Sequence, residues 1–385
     1  MSPICFFRDS LTPPLLIGRM YSLKKTLMGD KTMKKTIALA LMLLCAFAVF
    51  AEGAKETTAT TAAALKIGMV TDAGTIDDRS FNQGTYEGVK KAADELGLEC
   101  TYLRPNGTTT AEYVTAISDL YDAGYRFIAC PGYLFAEAVT EAQKMFPDLM
   151  LVILDSEPTE AGANTVSIYF KEEQSGFAAG LATALQLKDA SVGFVGGIEI
   201  PSVQKFSWGF QQGVKYANEN YGTKIAMEAQ NFVYSGSFAD LALGQQLANT
   251  MYASGVDAIF AAAGGTGVGV INEAKNRRLA GEDVWAIGVD VDQYLVGDMG
   301  NGKSCILTSA MKNVGEGAYA QAISAANGTF AGGSIITLGA AEGAVGIPAD
   351  NPNLDDDVEA KVLAALADIA AGKLVVADTA DGLHK

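Results

Sequence analysis

The chain has 385 residues, enough for two domains at about 150 residues each. Its composition is 49 % apolar, and its formal net charge is −16 from 28 basic and 44 acidic residues; this argues against disorder and against a nucleic-acid-binding surface, which needs basic groups. There is one histidine, His384, and there are five cysteines, so Ser-His-Asp or Cys-His catalysis, His-ligated zinc and a disulfide scaffold are all disfavoured.

The first predicted element is a leader. Met33-Lys34-Lys35 precedes an apolar run over 36–50, and Ala51 offers a small-residue cleavage site before Glu52. That is the pattern of a secretory signal peptide, and the run is shorter than the ~20 residues of a membrane span. Cys45 leaves lipoprotein processing open as an alternative, although Leu44 is a poor residue before a lipidated cysteine. Residues 1–32 make little sense ahead of a signal peptide, so translation is expected to begin at Met33; a precursor whose N-terminal sequence starts at Met1 would overturn this. Residues 1–51 thus form the leader, and 52–64, rich in Thr and Ala, a flexible tether. The leader holds seven basic and two acidic residues, so the remainder carries 21 basic and 42 acidic, a net −21, with Cys100, Cys130 and Cys305.

From residue 65 short β-rich runs alternate with helical periodicity. Strands are predicted at 65–70, 99–104, 126–131, 149–155 and 165–170, with helices at 80–96, 110–123 and 135–146 between them. The rhythm restarts at 172. Helices at 172–186, 203–220, 240–254 and 268–278 alternate with strands at 191–197, 226–233, 258–263 and 285–289. A strand at 305–311, a helix at 314–327, a Gly-rich stretch with short strands and a helix at 356–371 close the chain. Repeated βαβ units build parallel sheets covered by helices. About a dozen strands exceed one such sheet, so the reading is α/β with two doubly wound lobes.

Ligands of open α/β sheets bind beyond the carboxyl ends of the strands. The residues found there are Asp72, Asp155, Gly264, Asp290 and Lys312. Each alone could be a cap or a turn residue; together they favour a cleft between the lobes. Ser80-x-x-Gln83 reads as a capping box, which puts Phe81 and Asn82 in a first helical turn. Phe238 takes the corresponding place in the second half. Two rings from two lobes either sandwich a flat ligand, at about 1–3 kcal/mol per stacked base, or lie buried in their own lobes. Gly297-Asp-Met-Gly-Asn-Gly302-Lys303-Ser304 fits the phosphate-loop pattern, but a β pattern follows it instead of the required helix, so it is read as a surface turn. The Gly-rich run 264–269 is out of register for a dinucleotide fingerprint. Cys100 and Cys130 could pair only if their strands are neighbours.

Val70-Thr-Asp-Ala-Gly, Asp78-Arg-Ser-Phe-Asn-Gln83, Leu154-Asp155, Gly236-Ser-Phe-Ala-Asp240, Ala263-Gly-Gly-Thr-Gly-Val-Gly269, Ile287-Gly-Val-Asp-Val-Asp292 and Thr308-Ser-Ala-Met-Lys312 together resemble the basic membrane protein family of substrate-binding lipoproteins. The best-understood branch of that family is the purine nucleoside receptor of spirochaetes. The resemblance implies a type I periplasmic-binding-protein fold, two lobes joined by a three-strand hinge. By it, 65–170 and 313–334 would form the N-terminal lobe, and 171–312 and 335–385 the C-terminal lobe. It implies a monomeric extracytoplasmic receptor, periplasmic or lipid-anchored, that hands purine nucleosides (inosine, guanosine, adenosine) to an ABC permease without catalysis or cofactor. Carried over by position, Phe81 and Phe238 would sandwich the base, Asn82 and Asp155 would meet its edge, and Asp290, Lys312 and the Gly264 backbone would hold the ribose. Asp72 belongs to the site with no part of the ligand assigned. A sugar or signal sensor of the same fold, and an extracytoplasmic nucleoside hydrolase, are the alternatives.

Overall fold

The computed structural model describes residues 65–300 and 302–384. The leader, Cys45, both cleavage sites and the tether lie outside the described residues.

Two six-stranded sheets form the frame. The first contains β1 (Ile67–Val70), β2 (Cys100–Leu103), β3 (Phe127–Pro131), β4 (Met150–Leu154), β5 (Thr165–Phe170) and β13 (Ile335–Leu338), in the order β13-β5-β4-β3-β1-β2. The second contains β6 (Asp189–Gly196), β7 (Lys224–Tyr234), β8 (Ala258–Ala262), β9 (Trp285–Asp290), β12 (Ile306–Lys312) and β14 (Val345–Gly346), in the order β14-β12-β9-β8-β6-β7. Within these two sheets all ladders are parallel except β12–β14. The two orders correspond strand for strand, so each sheet has a switch point, at β1/β3 and at β6/β8, where a crevice opens.

The strands read as near-continuous apolar runs because helices cover both faces. In the first sheet Met69, Phe127, Ala129, Val152 and Leu154 pack on one face. Val70, Ile128, Cys130, Leu151 and Ile153, one residue out of phase, pack on the other. Helices α1 (Phe81–Leu96), α2 (Thr110–Asp122), α3 (Ala136–Met145) and α8 (Val314–Ala326) serve this half. Helices α4 (Glu172–Leu187), α5 (Pro201–Tyr221), α6 (Leu241–Ala253), α7 (Gly264–Leu279) and α9 (Asp356–Ala370) serve the other. No helix among the described residues is long and apolar enough to cross a membrane.

The chain crosses between the sheets three times, at Lys171, at Asn313 and after Leu338. The third crossing differs from the expected boundary at 335. Ile335–Leu338 pairs in parallel with Ser167–Phe170, because the outer edge of β5 has free backbone groups to satisfy and Ile336 and Leu338 have apolar surface to bury. Helix α7 starts at Gly264, four residues before the predicted 268, so the Gly-rich run is its first turn. A Cβ at Gly269 would collide with the Leu241 carbonyl; the glycine is there to let α6 approach α7. β10 (Asp298–Gly300) pairs antiparallel with β11 (Lys303–Ser304), and a strand, not a helix, follows, in keeping with a surface turn. β1 lies between β2 and β3, so Cys100 and Cys130 are not neighbours, and Cys100, Cys130 and Cys305 are free thiols.

Candidate functional site

The carboxyl ends of the two sheets face one cavity. Asp72, Phe81, Asn82, Asp155, Phe238, Gly264, Asp290 and Lys312 all line it. Asp78, Ser80, Gly132, Tyr133, Phe206 and Val289 line it as well, and sequence reasoning did not assign them to the site.

Corresponding strands deliver corresponding residues. Asp155 follows β4 and Asp290 ends β9, the fourth strands of their halves. Both adopt a left-handed backbone, φ 56° and 64°, which costs little for Asp yet is uncommon outside glycine. Each carboxylate is thereby turned off its sheet and towards Lys312, at the end of β12. The Lys312 Nζ lies 2.5 Å from Asp155 Oδ2, 3.6 Å from Asp290 Oδ1 and 3.7 Å from Glu172 Oε1 at the start of α4. The rings of Phe81, Phe206 and Phe170 stand 4.7, 5.3 and 5.7 Å from it. Burial opposes the charge on Lys312, but the three carboxylates outweigh burial and hold its pKa above the ordinary lysine value. Burial likewise pushes Glu172 up to about 8, with Asp155 adding to the shift and Lys312 opposing it. Asp290 is raised by burial against the opposing pull of Lys312 and the Ser80 hydroxyl.

A second cluster surrounds Asp72. Asn82 Nδ2 donates to Asp72 Oδ1 at 2.8 Å and to Asp78 Oδ2 at 2.9 Å, and its Oδ1 accepts from the Asp72 amide at 3.2 Å. Asp72 Oδ1 also accepts from Gly74 N at 2.8 Å. Both amide donors of Asn82 are thus committed within the protein, so Asn82 orients Asp72 and leaves Asp72 Oδ2 beside Gly132. Asp155, expected with Asn82 at the base edge, lies beside Lys312. Burial, with Asp78 and Asp155 adding like charge, raises Asp72 to about 6 against hydrogen bonds from Gly74 and Asn82.

The capping box at Ser80 is not formed; no side-chain hydrogen bond comes from that residue to the helix. Asp78 caps α1, its carboxylate accepting from the amides of Ser80, Asn82 and Gln83. This leaves the Ser80 hydroxyl free to donate across the cleft to Asp290 Oδ2 at 2.6 Å. A carboxylate two residues upstream reaches more free amides of the helix start than one hydroxyl can. Asp155 Oδ1 and Asp290 Oδ1 are buried and have no hydrogen-bond partner among the described residues.

Phe238 approaches from the second half and lies over Gly197, where a Cβ would overlap the ring. Gly197 follows β6, so the only hint of this in the sequence is a second glycine after a strand end. His384 is remote from the cavity, its ring against Phe232 and the Met227 carbonyl. Among the described residues no group of three His, Cys, Asp or Glu is arranged to hold a metal ion.

Comparison with known proteins agrees with this architecture. Residues 65–379 match the family described as Bmp, ABC transporter substrate-binding protein PnrA-like. The chain is 35 % identical to the CD4+ T-cell-stimulating antigen of Listeria monocytogenes, over 86 % of this chain and 94 % of that protein. It is 32 % identical to the ABC transporter nucleoside-binding protein BmpA of Lactococcus lactis, over 89 % and 99 %. Among solved structures, an ABC transporter solute-binding protein of Aeropyrum pernix K1 superposes with a TM-score of 0.70, over 82 % of this chain and 95 % of that one. At 24 % identity that likeness speaks for the fold alone.

Proposed function

We propose a role from one premise: the chain belongs to the PnrA-like family of ABC transporter substrate-binding proteins. Its cavity holds a purine nucleoside, which the protein captures outside the cytoplasm and delivers to an ABC permease. The observation that carries this reading is the pair of carboxylate oxygens without a hydrogen-bond partner, Asp155 Oδ1 and Asp290 Oδ1, beside Lys312, whose ammonium lies 4.7 and 5.3 Å from the Phe81 and Phe206 rings. An unsatisfied buried acceptor costs about 1–3 kcal/mol, and more when charged. Hydroxyl donors of a ribose satisfy such oxygens, and the rings of Phe81 and Phe238 supply flat apolar faces for a base. With Asp72 Oδ1 taken by Asn82 and Gly74, Asp72 Oδ2 is the acceptor left for an N–H on the base edge. Four acids of the cavity (Asp72, Asp78, Asp155, Asp290) against one lysine disfavour a phosphate, so nucleosides bind in preference to nucleotides.

The test is to purify the protein without refolding and identify the small molecule released on acid precipitation. Inosine, guanosine, adenosine, their bases and monophosphates, ribose and arabinose are then titrated calorimetrically. Micromolar or tighter binding of a purine nucleoside with no turnover supports the reading; binding of a free sugar alone, or release of free base, overturns it.

A further inference from the structure

We propose that Gln293 is the latch of the cleft, a positioning residue that touches no ligand and holds the two halves together over it. Gln293 follows β9, three residues after Asp290, and is 1 % exposed. It does not line the cavity. Its backbone amide donates to Ser309 Oγ on β12 at 3.1 Å, and its Oε1 accepts from the Val289 amide at 3.0 Å. These two bonds lie within the second half. The bond to Val289 also fixes which end of the amide faces outward, since only the oxygen can accept from that N–H. Space for the side chain is reserved by Gly288, where a Cβ would stand 2.7 Å from Oε1.

The remaining group, Nε2, donates to the Arg79 carbonyl at 2.7 Å, and Arg79 belongs to the first half. Arg79 itself has φ 57°, an uncommon conformation for arginine. The next residue, Ser80, also bonds across the cleft, to Asp290, as Lys312 does to Asp155. The Gln293 bond differs in kind from these, whose Asp290, Asp155 and Lys312 line the cavity. Ser80 shares Asp290 with whatever occupies the cavity, so ligand can compete with it. The Gln293–Arg79 bond has no such competitor. It exists only when the halves are closed, and breaking it leaves a buried amide unsatisfied.

A contact formed only in the closed state slows release and leaves capture, which starts from the open state, nearly unchanged. The inference rests on the nucleoside reading only for its probe. Rates of inosine association and dissociation are measured for the full chain and for Gln293→Ala and Gln293→Glu, with thermal melts in parallel. Glu keeps the acceptor for Val289 but cannot donate to Arg79. Dissociation about tenfold faster, corresponding to about 1.4 kcal/mol, with association within about twofold and near-wild-type melting, is the expected result in both variants. Unchanged dissociation overturns the latch. So does a parallel loss of association and melting temperature, or failure of both variants to fold, since either assigns Gln293 to the core of the second half. If the wild type binds no inosine, the ligand reading fails and small-angle scattering of the unliganded proteins decides the latch. A larger radius of gyration in Gln293→Glu than in wild type supports it; identical curves overturn it.

Discussion

At the residue scale the site is built from backbone conformation as much as from side chains. Asp155 and Asp290 share a left-handed φ at matched strand ends, and the shared lysine between them makes two remote carboxylates one cluster. Gly197 matters for the opposite reason, the absence of a side chain beneath Phe238. Gly197→Ala should displace the ring, and Phe238→Ala should remove it. Each is expected to weaken nucleoside binding at least tenfold by calorimetry, about 1.4 kcal/mol, and equal affinities in either variant would remove the ring from the site. Asp72 carries a pH prediction. Burial raises its pKa to about 6, so the folded state holds this proton more tightly than the unfolded chain. Its ionised form therefore weakens the fold above pH 6, and the penalty fades as pH falls through 6 towards 4. Asp72→Asn should raise the melting temperature of the unliganded protein at pH 8, by an amount equivalent to about 3 kcal/mol at most. The gap should close by pH 4. A constant gap across that range would mean that Asp72 does not titrate as described. Because ligand N–H donors favour the carboxylate, nucleoside affinity should fall as pH drops below 6.

At the element scale, close helix approach rests on glycine. Helices α4 and α5 cross with glycines on both sides. A Cβ at Gly176 or Gly180 would strike the carbonyls of Phe206 or Phe210, and one at Gly209 or Gly213 those of Glu173 or Phe177. Similarly, Gly88 of α1 meets the backbone of Gly315 of α8. Overpacking at such points costs typically about 1–3 kcal/mol, sometimes more, because backbone cannot yield as a side-chain tip does. Gly180→Ala should lower stability in denaturant titration by about 3 kcal/mol, whereas Gly222→Ala, at an open helix end with φ 71°, should cost about 1 kcal/mol through backbone strain alone. Equal losses would argue against close packing as the cause. The tight α4–α5 pair also anchors Glu172, whose carboxylate completes the surroundings of Lys312 at the first crossing.

At the scale of the whole molecule, three chain crossings join two sheets of matching topology, and the cavity lies between their carboxyl edges. Ligand in such a cleft contacts both halves at once, so binding energy is available to hold them closed. Saturating nucleoside should raise stability as mass action dictates, by about 2.7 kcal/mol at a hundredfold excess over Kd, and reduce the radius of gyration in solution scattering. A stabilised protein with unchanged dimensions would indicate binding to one half only.

The alternation of strands and helices, the restart of the pattern at the second half and the eight residues that line the cavity are legible in the sequence. These follow from local rules. Backbone periodicity sets which residues face a core, and in a doubly wound sheet the residue after a strand's carboxyl end faces the crevice. Which polar atoms are spent and which are free follows from the folded arrangement alone. Asn82 turns inward to Asp72, Asp78 displaces Ser80 as the cap, and Ser80 and Gln293 reach partners more than 200 residues away. β13 returns to the first sheet because β5 offers an edge there. A hydrogen bond depends on distance and direction between atoms that chain closure alone brings together, and neither is written in the spacing of residues along one strand or helix.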